Sequence, residues 1–151
     1  MDHGVALTRY VSKNKNRIIY PKRKSEYRKV DIDAGINAMS MPGIPSGTQA
    51  RVVASNPFIP PSAGGTLSMM DYLPEAARIT RPGGEIVING NPENKYFTTV
   101  PTPAQLDALG LTMKYQGNLL PEFKDMKFSR MDGSQISVGT MRSIVFVKKG
   151  G

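Results

Sequence analysis

Lysine, arginine and tyrosine crowd the start of this chain in a pattern suited to phosphate. Arg9, Lys13, Lys15, Arg17, Lys22, Arg23, Lys24, Arg28 and Lys29 face only Asp2 and Glu26 before residue 31, with Tyr10, Tyr20 and Tyr27 set among them. Cations spaced in this way can follow the phosphates of a nucleic acid strand, and the interleaved rings offer platforms on which bases stack. The same block would also serve as a solvated arm, or pair with an acidic protein partner such as an inhibitor. The net charge of the whole chain is +8, so nearly all of the excess lies in this segment.

Two further groups could do chemistry. Asp31 and Asp33 alternate with Val30 and Ile32 ahead of Gly35, the pattern of a short strand entering a turn, with both carboxylates on one face. Asn56-Pro57-Phe58 closes the apolar run Val52-Val53-Ala54. Proline brings no N–H to a ladder and biases the residue before it away from helix, so a strand must stop there. An asparagine at the carboxyl end of a strand lies where open α/β sheets place ligands, although Asn-Pro is also a common opener of turns.

Other chemistries are excluded by composition. The absence of cysteine removes disulfides, thiolate catalysis and Cys-based zinc sites, and His3, the sole histidine, cannot make a histidine cluster or a Ser-His-Asp triad plausible. The 151 residues suffice for one core, and the apolar fraction of 39% with 21% charged residues is that of a globular chain, while 15 Gly and 12 Pro imply many turns. No apolar run is long enough to span a bilayer or to serve as a secretory signal. The expectation is a soluble protein acting in the cytoplasm.

The elements that must position these residues follow from pattern and punctuation. Residues 38–47 and Ile59-Pro60-Pro61-Ser62-Ala63-Gly64-Gly65 read as loops. Between them Val52-Val53-Ala54 forms a brief buried strand. The segment 66–79 places Leu67, Met70, Leu73, Ala77 and Ile79 on one helical face, with Pro74 either kinking the helix or opening its second part. Pro82-Gly83-Gly84 ends that helix and turns the chain back into Ile86-Val87-Ile88, a continuous apolar run expected of a parallel strand covered on both faces. Thr102, Pro103 and Gln105 compose a capping box for a short helix closed by Gly110. Residues 114–116 and 126–131 are candidate strands, Asp132-Gly133 a turn, and Ile144-Val145-Phe146-Val147 a strong final strand.

Taken together, VVASNPF, a helix, RITRPGGEIVING, TPAQLDALG and a closing pair of strands resemble the C-terminal half of the class I S-adenosylmethionine-dependent methyltransferase fold. The likeness runs from about Asp31 to Lys149 and is best between Arg51 and Gly110. It implies an α/β fold: a reduced Rossmann-like, methyltransferase-like, mostly parallel sheet with helices and a C-terminal antiparallel hairpin. Residues 1–30 would then be a basic arm and residues 31–151 the domain.

The resemblance also assigns roles. Asn56, Pro57 and Phe58 correspond to a shortened form of the motif with which some family members hold an exocyclic amine, the Asn oxygen and a backbone carbonyl accepting from the nitrogen while the ring stacks on the base. Such acceptors orient the nitrogen and offset the positive charge that grows on it. Asp31 and Asp33 correspond to the acidic residue that binds the ribose of S-adenosylmethionine. The family's Gly-rich loop has no counterpart, since no G-x-G precedes Asp31 and the upstream apolar run is Ile18-Ile19-Tyr20.

Three functions remain open from the sequence. The first is a methyltransferase-like domain that acts on, or only binds, nucleic acid. The second is a small basic ribonuclease, similar to toxin modules delivered between competing bacteria, in which Arg9, Tyr10, Arg17, Tyr20 and Lys22 would stabilise charge and move protons around a phosphate. The third is a non-catalytic binding module.

Overall fold

The computed structural model describes residues 4–8, 27–30, 40–125, 128–129 and 134–150. Their centre is a six-stranded sheet in the order β2-β1-β3-β4-β8-β5, built from β1 (Gly4–Thr8), β2 (Tyr27–Val30), β3 (Gln49–Ser55), β4 (Thr80–Gly90), β5 (Leu111–Asn118) and β8 (Arg142–Lys148). The first four strands are mutually parallel, and β8 runs antiparallel to both β4 and β5. A separate two-stranded ladder pairs β6 (Phe128–Ser129) with β7 (Gln135–Ile136). The expected mostly parallel α/β sheet with an antiparallel pair at its C-terminal side is what forms.

Alternation along the three central strands builds two cores. Val52 and Ala54 of β3, Ile86 and Ile88 of β4, and Ile144 and Phe146 of β8 face one side, where α1 (Leu73–Ile79), α2 (Lys95–Thr98) and α3 (Pro103–Ala108) contribute Leu73, Ala76, Ile79, Tyr96, Phe97 and Leu106. Val53, Val87 and Val145 face the other side and pack against Phe123, Phe128, Ile136 and Met141. Each fully buried side chain of this size contributes roughly 1.5–3 kcal/mol of transfer free energy. Among the described residues the valine face is covered by the segment joining β5 to β8, which carries short 3-10 turns and the β6–β7 ladder.

The local signals mostly act as their residues dictate. Thr102 accepts from Gln105 N at 3.2 Å while Gln105 Oε1 accepts from Thr102 N at 2.9 Å, and Gly110 follows α3 at φ 74°. The helix expected over residues 66–79 begins only at Leu73, with Pro74 in its first turn; Met69–Asp71 is a 3-10 turn capped by Ser68, and Leu67 is exposed at φ 61°.

Pro82-Gly83-Gly84 is also displaced from its expected role. Strand β4 starts directly after α1 at Thr80, where Thr80 Oγ1 donates to Ala76 O at 2.7 Å and Lys148 Nζ donates to Ala77 O and Thr80 O at 2.8 Å each. The ladder then pairs Gln49 with Thr80 and Arg51 with Glu85, so that the Arg81–Gly84 stretch bulges out of β4. Gly83 adopts φ 81°, and a Cβ at Gly84 would sit 2.8 Å from Ala50 O.

The largest difference concerns the first thirty residues. Both β1 and β2 come from this stretch, so the sheet does not begin at residue 31. The first described strand is Gly4–Thr8, and β2 ends at Val30, directly before Asp31. Strand β1 lies between β2 and β3, with Gly4 through Thr8 paired to Arg51 through Ser55. The chain leaves β1 toward β2 and returns on the other side as β3. In open α/β sheets a reversal of this kind, here at the carboxyl ends of β1 and β3, is where the ligand crevice lies.

Candidate functional site

Ser55 is the last residue of β3 and stands opposite Thr8 of β1, which places Asn56 at the mouth of that crevice. Asn56 adopts φ 49°, a left-handed conformation that asparagine tolerates better than most residues, and its N–H is held by Asn89 O at 2.7 Å. Pro57 follows with no N–H to satisfy, so its carbonyl oxygen is free to be directed by the turn. Asn56 and Pro57 are buried and Phe58 is half-buried.

A second segment meets this strand end. Asn94, the residue before α2, donates from Nδ2 to Asn56 Oδ1 at 2.8 Å and to Pro57 O at 3.0 Å. Its Oδ1 accepts from Tyr96 N at 2.9 Å and so caps the helix. The orientation of this amide is fixed by chemistry. The carbonyl oxygen of Pro57 can only accept and Tyr96 N can only donate, so the nitrogen must face the first and the oxygen the second. By the same reasoning Asn56 presents its oxygen.

Aromatic residues support the floor of the site. Phe58 and Tyr96 meet edge to face with centroids 5.8 Å apart, Tyr96 Oη donates to Ile59 O at 2.9 Å, and Tyr72 Oη donates to Tyr96 O at 2.8 Å. Burial raises both phenols, Tyr72 well above the ordinary value, so each acts as a neutral hydrogen-bond donor rather than as a base. Nearby, Asp71 accepts from Thr66 N at 2.6 Å and from the Thr66 hydroxyl; burial works against its charge, yet these hydrogen bonds hold its carboxyl below the usual range.

The strand ends are joined by a buried polar row, Ser55-Asn89-Ser143, in register across β3, β4 and β8. Asn89 Nδ2 donates to Ser55 Oγ at 3.3 Å, and Leu120 N donates to Ser143 Oγ at 3.0 Å. The row sets the height at which β3 and β4 terminate and thereby the position of Asn56.

The sequence candidates are thus distributed unevenly. Asn56, Pro57 and Phe58 stand together at the crevice. Arg28 and Lys29 belong to β2, paired through their backbones with Val5 and Ala6. Arg9, Lys13, Lys15, Arg17, Tyr20, Lys22, Arg23, Lys24, Asp31 and Asp33 lie outside the described residues. Sequence reasoning missed Asn94, Asn89 and the two serines. The only available signal was the density of asparagine in Asn89-Gly90-Asn91-Pro92-Glu93-Asn94, which reads simply as a strand stop. Among the described residues no group of His, Asp or Glu could hold a metal ion, and no helix is long and apolar enough to cross a membrane.

Strand β1 ends at Thr8, and after Gly4 the next glycine in the chain is Gly35. The residues that follow β1 lie outside the described ones.

No protein-family model and no curated protein sequence matches this chain. Solved structures do. The 16S rRNA methyltransferase KamB superposes with a TM-score of 0.54 at 14% identity, over 98% of this chain and 89% of that one. An S-adenosylmethionine-dependent methyltransferase from Methanosarcina mazei gives 0.51 at 9% identity, over 99% and 94% of the two chains. The 16S rRNA (adenine(1408)-N(1))-methyltransferase from Catenulisporales acidiphilia gives 0.50 at 12% identity, over 97% and 87%. The overlap extends across nearly the whole of each chain and is not confined to a C-terminal half. At these identities the likeness is one of architecture, and the protein has the methyltransferase-like fold.

Proposed function

We propose that the protein binds nucleic acid, with the basic stretch between β1 and β2 following phosphates and the crevice at Asn56 and Pro57 receiving an amino-bearing base beside Phe58. The observation that carries this reading is the convergence of two oxygen acceptors, Asn56 Oδ1 and Pro57 O, on one NH2 group at the switch point of the sheet. Adenine, cytosine and guanine each carry such a group. Support comes from the charge of residues 9–29 and from two of the structural neighbours, both 16S rRNA methyltransferases.

S-adenosylmethionine is the cofactor proposed for this fold, and the Methanosarcina mazei neighbour, an S-adenosylmethionine-dependent methyltransferase, supports it. Asp31 and Asp33 follow the carboxyl end of β2, where an acid for the ribose of S-adenosylmethionine would stand. The role proposed for the Asn56 crevice is recognition of the base.

Binding of total tRNA across a range of salt concentrations tests the reading. Affinity should fall linearly on a logarithmic scale, the RNA should be recovered intact, and the double change Arg17→Ala/Lys22→Ala should reduce the slope by about 1.4, at about 0.7 per phosphate contact on a single strand. An unchanged slope, or no binding at low salt, removes nucleic acid from the account. Fragmented RNA would instead favour the ribonuclease.

A further inference from the structure

We infer that Asn94 is a built-in occupant of the amine site, and that an external planar NH2 group binds by displacing its side-chain amide. This rests on the reading of the crevice given above and deepens it by naming the ligand chemistry and the contact that must be given up.

Both hydrogens of Asn94 Nδ2 are used, one on Asn56 Oδ1 at 2.8 Å and one on Pro57 O at 3.0 Å. An aminopurine or aminopyrimidine offers the same pair of hydrogens in a plane, at the same spacing, from a nitrogen bonded to an sp² carbon. The side chain of Asn94 is therefore a chemical stand-in for the group that the two acceptors would take from a base. Asn94 is partly buried, whereas Asn56 and Pro57 are buried. Capping α2 requires only its Oδ1, which accepts from Tyr96 N at 2.9 Å. A side chain that keeps an acceptor at this position but lacks the NH2 would leave the helix start intact and withdraw the Asn94 donor from both oxygens.

The test uses Asn94→Ser and Asn94→Asp, both good caps, with AMP against IMP and CMP against UMP as probes. In each pair only the first nucleotide carries an exocyclic amine. The serine protein should bind AMP or CMP at least about tenfold more tightly than the unaltered chain, which is 1.4 kcal/mol, while IMP and UMP change less than twofold. The aspartate protein should behave likewise, because its carboxylate is repelled by the two oxygens. No gain, or an equal gain for IMP and UMP, overturns the inference.

A measurement on the unaltered chain stands apart from whether either variant folds. The side-chain amide protons of Asn94 should exchange slowly with solvent, and faster when AMP or CMP saturates the site. Unchanged exchange at saturation counts against displacement. Should neither variant nor the unaltered chain bind RNA in a salt-dependent way while the nucleotide discrimination appears, the nucleic acid reading fails and the amine site stands.

Discussion

Ser143 Oγ donates to Asn89 Oδ1 at 2.7 Å, tying β8 to β4 at the level where Asn89 O holds the N–H of Asn56. Asn89 is thus a hub: its side chain spans to both neighbouring strands and its backbone fixes the first residue beyond β3. All three members of the row are fully or almost fully buried, so none can turn to water for a replacement partner.

Removing the hydroxyl should be costly. Ser143→Ala leaves Asn89 Oδ1 and Leu120 N without their partner, and stability should fall by roughly 1–3 kcal/mol, read as a lower urea midpoint at unchanged slope. A midpoint equal to that of the original chain would show that the row is not a source of stability.

Gly90 ends β4 directly beneath Phe97 of α2. A Cβ there would lie 2.5 Å from Phe97 Cβ, inside contact distance. Gly90→Ala should destabilise by about 1–3 kcal/mol, and Phe97→Ala in the same chain should cost less than it does alone, since part of the clash is relieved. Additive losses would exclude the contact.

The Arg78 guanidinium hydrogen-bonds Glu75 at 2.8 Å and holds its carboxyl below the ordinary glutamate range; burial opposes this, and the Met41 N–H at 2.5 Å assists. A depressed folded pKa means stability that is complete above the unfolded value, about 4.3, and is lost as pH falls through the folded one. Glu75→Gln should therefore cost about 1–2 kcal/mol at neutral pH, with the partly exposed pair discounted for solvent, and should flatten the acid limb in denaturation from pH 7 to pH 3. An equally steep limb would place the titration elsewhere.

S-adenosylmethionine should raise the melting temperature. A ligand at one hundred times its Kd stabilises by about 2.7 kcal/mol, which in a chain of this size moves the transition by several degrees. An unchanged transition would remove the cofactor, and methyl transfer with it, from the account.

What the sequence made legible was whatever local chemistry alone decides. The capping box at Thr102, the stop at Asn56-Pro57 and the buried strands around Val53 and Val87 each depend on neighbours a few residues away, and each is present. Their parallel pairing also followed, because a helix separates them. Strand β1 was hidden because Gly4–Thr8 is only five residues, with no clear alternation, and its ladder partners lie more than twenty positions downstream. Pro82-Gly83-Gly84 carried the signature of a turn, but whether a turn ends a strand or bulges within one depends on the register with Gln49 and Arg51. Asn94 meets Asn56 across 38 positions, and only the assembled sheet brings them together.

The covering of the valine face has a practical consequence. Phe123, Phe128, Ile136 and Met141 all belong to the excursion between Asn118 and Arg142, so the chain uses a long connection as a wall of its interior. A protease nick or an inserted tag in that excursion would not clip off an ornament. It would bare a sticky apolar panel and loosen the staple on Ser143 at once, and the damage would surface as clumping of the protein before any ligand was tried.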